Sequence, residues 1–251
     1  MSRDSLTGVL WMVCLLAAPA VLVTIELFHP AGFTADPGMY QYLSKPEPYN
    51  PQFEALGYFG PQWWFTLHMI QTPMVGLICI GLWLLVGVTA ASSHPLVVTS
   101  AWLSRIATFL VIVYYTALDS IGGFGLGKTI ELTERFARDG QLTPLQVAGI
   151  ERVLNATWTD PWVGGVGSFI SLTGSWAAFF SALFAAIALF LAKKAPWPPL
   201  LLLVVFGWEL QVSHTMPHGP IAFALLAIAA IWIWWAAERQ QGASDRAAAF
   251  L

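Results

Sequence analysis

Long apolar stretches constrain the fold of this 251-residue chain more than any other feature. A helix needs about 20 consecutive, mostly apolar residues to cross a bilayer core of about 30 Å. Six stretches reach or approach that length, and polar or Pro/Gly-rich segments separate them. They predict membrane-spanning helices over residues 7–28, 62–90, 102–126, 163–192, 195–212 and 219–237.

The composition excludes several classes of protein. Hydrophobic residues make up 57% of the chain and charged residues only 10%, against about 45–50% and about 25% in soluble domains. A soluble fold with so few charges could not cover its core, and a disordered tail or a nucleic-acid binder would be far more polar. We therefore expect membrane lipid and other membrane subunits as partners, and no nucleic acid.

The expected architecture is an all-α membrane protein, a six-transmembrane-helix bundle forming a single polytopic domain over residues 1–251. Two long connections join the spans, His29 to Pro61 and Gly127 to Trp162. The first is rich in Pro, Gly and Tyr and is expected to be irregular. The second should contain short surface helices, because Thr143-Pro144-Leu145-Gln146 has the pattern of a capping box with proline at the first helical position.

Positively charged residues near the spans predict the orientation. Lysine and arginine favour cytoplasmic connections, and the paired Lys193 and Lys194 lie in a short one, where this preference counts most. We therefore expect a multi-pass protein of the inner (plasma) membrane with both termini in the cytoplasm and both long loops extracytoplasmic. The apolar run continues beyond the cleavage-like Ala18-Pro19-Ala20, so the first span is expected to stay as a helix.

Costly polar residues gather towards one membrane face. Ionisable groups within spans are expensive and are candidates for function. In the expected topology, only His94 and Arg105 belong to the cytoplasmic face. The extracytoplasmic ends of the spans and their connections contain Glu26, His29, His68, Gln71, Asp119, Glu209, His214 and His218.

The position of His68 is the most informative of these. It is the seventh residue of its expected span, roughly 9 Å in at 1.5 Å per residue. A buried imidazole without a polar partner costs free energy. We therefore expect His68 to face the bundle within reach of another polar residue of the set.

Two main functional hypotheses follow. In the first, the chain binds a transition metal, iron or copper, or haem b, as a redox protein. Its ligands would be His29, His68, His214 and His218. In the second, it is a membrane enzyme that applies acid–base chemistry to a lipid or isoprenoid. The catalytic groups would then be Asp119, Glu26 and Glu209.

Other readings stay open. The chain could be a transporter or an accessory subunit of a membrane complex, and the residues leave open whether it is an enzyme. Each polar residue also has a structural reading, as an interfacial cap or as a hydrogen-bonding partner of a neighbouring helix. Ligand count ranks the metal or haem hypothesis first, because four of the five histidines belong to one face.

Four short segments carry a resemblance to a known group of proteins. They are His29-Pro30-Ala31-Gly32-Phe33, Trp64-x3-His68-x2-Gln71, Tyr114-Tyr115-x3-Asp119-x3-Gly123 and His214-x2-Pro217-x-Gly219-Pro220. The pattern resembles an uncharacterised family of bacterial multi-spanning integral membrane proteins. The resemblance covers the spans and implies a membrane fold, but no activity. Signatures such as H-E-x-x-H, G-x-S-x-G and the P-loop are absent from the sequence.

Overall fold

All regular secondary structure in the described part of the chain is helical. The computed structural model describes residues 5–30, 38–44 and 60–248. Two π-helical segments, Val13–Ala17 and Asp119–Gly125, interrupt the series of α-helices. The helices are α1 (Ser5–Met12), α2 (Ala18–Glu26), α3 (Met39–Ser44), α4 (Gly60–Gly87), α5 (Pro95–Leu118), α6 (Leu126–Arg138), α7 (Pro144–Trp158), α8 (Phe169–Leu191), α9 (Trp197–Val212) and α10 (His218–Ala248).

Five helices of the described residues are long and apolar enough to cross a membrane, which is the architecture of a helical membrane protein. A sixth apolar helix, α9, has only 16 residues and is about 24 Å long at 1.5 Å per residue. The crossing by α9, and with it the six-span topology, stays a prediction. The five long helices are Leu6–Glu26, Gly60–Gly87, Pro95–Arg138, Phe169–Leu191 and His218–Arg239.

The third predicted span differs most from the structure. Its helix begins at Pro95 instead of residue 102, and it continues to Arg138 instead of ending at residue 126. The glycine-rich stretch near the predicted end of this span forms the π-helical segment, in which Gly123 has non-helical angles (φ −91°, ψ −108°). Glycine tolerates such angles because it lacks a Cβ, so the helix bends here and continues.

The described residues belong to two compact units, each with its own packing. Unit 1 comprises Met1–Leu27, Met74–Ile112 and Ser175–Leu251, and unit 2 comprises Phe28–Pro73 and Val113–Gly174. The prediction of a single domain stays a prediction.

In unit 1, α10 packs along α9 and α2. Small residues allow close approach elsewhere in this unit. A Cβ on Gly207 would lie 2.8 Å from the Cβ of Ala182, so α9 and α8 touch almost backbone to backbone. Close packing of this kind holds helices together in lipid, where the hydrophobic effect between them is absent. Both cysteines, Cys14 and Cys79, are buried and free.

Buried hydroxyl groups join α5 to α8 within unit 1. Thr108 Oγ1 lies 2.6 Å from Ser181 Oγ, and Ser104 Oγ donates to the Ser181 carbonyl at 2.9 Å. All three residues are buried. Hydrogen bonds between membrane helices contribute about 0.6 kcal/mol on average and at most about 1.7 kcal/mol.

We expect Thr108→Val to lower the free energy of unfolding by about 1 kcal/mol, because the bond to Ser181 is lost while the side-chain shape is kept. Unfolding of the purified protein in increasing dodecyl sulfate measures this change. The matched control is Thr24→Val, since exposed Thr24 bonds only the Ala20 carbonyl of its own helix. An equal loss in both variants would contradict a role for the α5–α8 contact.

Unit 2 has a small core built from the two long connections and the start of α4. Helix α3, which the sequence did not predict, contributes four buried residues to this core. Helices α6 and α7 pack against α3. Helix α7 begins at Pro144 with the predicted Thr143–Gln146 capping box. The rest of the first long connection, residues 31–37 and 45–59, lies outside the described residues. The core contains Met39, Tyr40, Tyr42, Leu43, Trp64, Leu126 and Ile130.

Candidate metal centre

His68 lies on α4 with its imidazole oriented by the backbone of its own helix. The residue is 3% exposed, and its Nδ1 lies 2.7 Å from the Trp64 carbonyl oxygen one turn earlier. A carbonyl oxygen only accepts hydrogen bonds, so Nδ1 carries the proton in this contact. The neutral ring then has its lone pair on Nε2, the arrangement by which a second contact prepares histidine for metal binding.

His29 follows the end of α2 and has the same arrangement. It is 1% exposed, and its Nδ1 lies 2.8 Å from the Pro30 carbonyl oxygen. Its ring centroid is 5.3 Å from that of His68, at an interplanar angle of 71°. Two buried imidazoles of unit 2 therefore contact each other edge to face, each with Nδ1 bonded to a backbone carbonyl.

Within unit 2, His29 and His68 each offer one ring nitrogen, and these two atoms lie within 4.8 Å of each other. Nitrogens on one tetrahedral ion stand about 3.4 Å apart, given metal–nitrogen bonds of about 2.0–2.1 Å. Modest ring rotations would suffice to reach that spacing. The predicted ligand His214 belongs to unit 1 and lies in the connection between α9 and α10, and its role as a ligand stays a prediction.

The ionisation state of His214 suits ligation. Removal from water lowers the pKa of its imidazole from 6.5 to about 4. The ring is therefore neutral at pH 7, and neutral imidazole is the form that binds metal ions.

The π-helical segment packs directly against Trp64 and His68 in unit 2. Trp64 is 2% exposed, and its Nε1 donates to the Gly122 carbonyl oxygen at 2.9 Å. The next residue, Gly123, lies directly against the imidazole: a Cβ there would be 2.5 Å from His68 Cδ2 and 2.6 Å from its Cγ. The position of the His68 ring therefore requires glycine at residue 123.

A second polar cluster lies next to His68 along α4. Thr72 Oγ1 lies 2.7 Å from Asp119 Oδ2 and 2.9 Å from the His68 carbonyl oxygen. Gln71 Nε2 donates to the Tyr115 hydroxyl. Asp119 and Gln71 are both buried. The hydroxyl group of Thr72 thus connects the carboxyl group of Asp119 to the backbone carbonyl of His68.

The remaining predicted site residues belong to unit 1. His218 Nδ1 lies 2.6 Å from Glu209 Oε2, so these two partly exposed groups form a pair. Glu26 is fully buried and packs near Gly219, where an added Cβ would be 3.4 Å from Glu26 Cβ. The proposed catalytic roles of Glu26, Glu209 and Asp119 stay predictions.

Sequence reasoning missed two residues of the site. Trp64 was given no role in the site, but it is buried and packs on His68 with ring centroids 4.6 Å apart. Thr72 was not singled out at all. The available signal was spacing: both residues are four positions from His68 on a continuous helix, and residues four apart share a face.

No protein-family model, curated protein sequence or solved structure matches this chain. Its function must therefore be inferred from its own side chains and their geometry.

Proposed function

We propose that this membrane protein binds a transition-metal ion through His29 and His68. The observation that carries the proposal is that these two buried imidazoles of unit 2 bring one ring nitrogen each within 4.8 Å of the other. Imidazole ligands suit iron, copper, zinc and nickel, whereas magnesium and calcium prefer oxygen. Both rings are also held by backbone carbonyls through Nδ1, the outer contact that metal-binding histidines commonly make.

The packing of the rings favours a single ion over haem b. Haem between two axial histidines places a flat macrocycle between their imidazoles. In unit 2, the His29 and His68 rings contact each other directly, and Trp64 packs against both with centroid distances of 5.3 and 4.6 Å. A macrocycle there would have to displace the indole, whereas an ion needs only small ring rotations.

The number of histidine ligands defines what the ion could do. A site with fewer than four protein ligands keeps coordination positions for water or substrate, as catalytic sites do. Neutral imidazoles do not compensate the positive charge of the ion in apolar surroundings, so a nearby anion is favoured. Asp119 is a buried carboxyl group of unit 2, and Thr72 connects it to the His68 backbone.

Acid–base chemistry at Asp119 is the second candidate. The supporting observation is that one hydroxyl group, Thr72 Oγ1, contacts two acceptors, Asp119 Oδ2 and the His68 carbonyl oxygen. A hydroxyl group has one proton, so a protonated Asp119 would supply the second hydrogen bond. A buried carboxyl group that holds a proton is suited to proton transfer.

Elemental analysis of the purified full-length protein separates the two candidates. After incubation with iron, copper or zinc salts and removal of loosely bound ions, the wild type should retain about one ion per chain of one of these metals. His29→Ala and His68→Ala should lose it. His218→Ala should retain it, because His218 pairs with Glu209. A wild type that retains no metal would overturn the metal proposal and leave acid–base chemistry as the better one.

A further inference from the structure

A groove in unit 1 has the shape and lining of a ligand site. It lies where α8 ends, α9 begins and the C-terminal half of α10 passes, and it encloses about 740 Å³. Ligand pockets typically range from about 300 to 1,000 Å³. Three indole side chains form much of its wall, Trp197, Trp232 and Trp235, and all three are exposed.

Two cations belong to the same groove. Lys193 and Arg239 are the charged residues of its described lining, which includes no carboxylate. Lys193 follows the apolar helix Phe169–Leu191 by two residues, and Arg239 is the last residue of the apolar helix His218–Arg239. Both charges thus lie at the ends of spans, where hydrocarbon gives way to lipid headgroups. The tryptophans at residues 232 and 235 lie one to two turns before Arg239 along α10.

Lys193 occupies a backbone position that normally favours glycine. Its φ is +54°, its N–H donates to the Phe190 carbonyl at 3.0 Å, and the N–H of Lys194 donates to the Leu189 carbonyl at 2.9 Å. These two bonds form a Schellman motif, in which the residue with positive φ is usually glycine. Lys193 is therefore present where glycine would be conformationally more favourable. Replacement of Lys193 by glycine consequently removes the charge without straining the backbone.

We propose that this groove binds an anionic phospholipid. The lipid phosphate would lie against Lys193 and Arg239, and an acyl chain would lie along the indoles of Trp232 and Trp235. Two cations without a carboxylate favour a net-negative headgroup over a zwitterionic one, and basic pockets at span ends recognise anionic lipids in this way. The apolar wall favours a lipid over a free phosphate ion, which has no apolar part. The proposal does not depend on the metal centre.

Lipid binding to the full-length protein in mild detergent tests the proposal. Native mass spectrometry with dioleoyl phosphatidylglycerol and dioleoyl phosphatidylcholine measures the ratio of their affinities. We expect each cation to contribute about fivefold and the pair about thirtyfold to this ratio. Lys193→Gln/Arg239→Gln should therefore lose about a thirtyfold preference. The control, Arg138→Gln/Arg152→Gln, removes the same charge from exposed positions on α6 and α7 and should keep the preference.

The variant Lys193→Gly separates binding from folding. It should raise the melting temperature, because glycine suits a positive φ, and it should reduce the phosphatidylglycerol preference about fivefold. Loss of binding together with increased stability cannot come from misfolding. Three results would overturn the proposal: an unchanged preference in the double glutamine variant, an equal loss in the control, or competition by inorganic phosphate at the same concentration as phosphatidylglycerol.

Discussion

The His68→Ala variant is expected to insert normally and to lose its metal ion. Alanine keeps α4 helical and apolar, so the span Gly60–Gly87 retains its length and its ability to insert. The variant removes the ligand whose Nδ1 is held by the Trp64 carbonyl. Substitution of a residue that hydrogen-bonds a metal ligand lowers the metal affinity about 10–100-fold. We expect loss of the ligand itself to lower the metal affinity further.

The matched control for this variant is His94→Ala. His94 is exposed in the connection between α4 and α5, so its replacement removes one imidazole from the chain and leaves His29 and His68 intact. Isothermal titration of metal-free protein with copper or zinc salts measures both affinities, and circular dichroism checks the helices. Equal affinities for His68→Ala, His94→Ala and the wild type would rule out His68 as a ligand.

Gly123→Ala should disturb the centre without changing any ligand. The added methyl group would lie 2.5 Å from His68 Cδ2, well inside van der Waals contact, so the imidazole or the π-helical segment must move. Overpacking of this kind costs about 1–3 kcal/mol of stability. A displaced ligand ring should also weaken metal binding by about 10–100-fold, as changes to outer contacts do.

Gly76→Ala is the control for this substitution, since it adds the same methyl group to the helix that carries His68. A Cβ at Gly76 meets no described atom within 4 Å. Alanine favours helix over glycine by up to about 1 kcal/mol, so the control should be neutral or stabilising and should bind metal normally. Thermal unfolding with and without metal measures both effects. Normal metal affinity in Gly123→Ala would show that the glycine contact does not position His68.

The helices of this protein were largely predictable because insertion and helix formation depend on local composition. Apolar stretches located the five long helices to within several residues at most ends, and Thr143 and Gln146 located the start of α7. The main error, at the end of the third span, arose where glycine allowed a π-helical bend instead of a break. Helix α3 was missed because its six residues are too few to show a helical repeat.

The sequence by itself determined that costly polar residues gather towards one end of the apolar helices, because their positions along each span can be counted. Only the tertiary structure decided which of them meet. It brought His68 beside His29, paired His218 with Glu209, and connected Asp119 to Thr72. The physical reason is that position along a helix follows from the number of residues. The rotation of each helix about its axis follows instead from packing, such as the close contact of Gly123 with the His68 ring, which no single stretch of sequence contains.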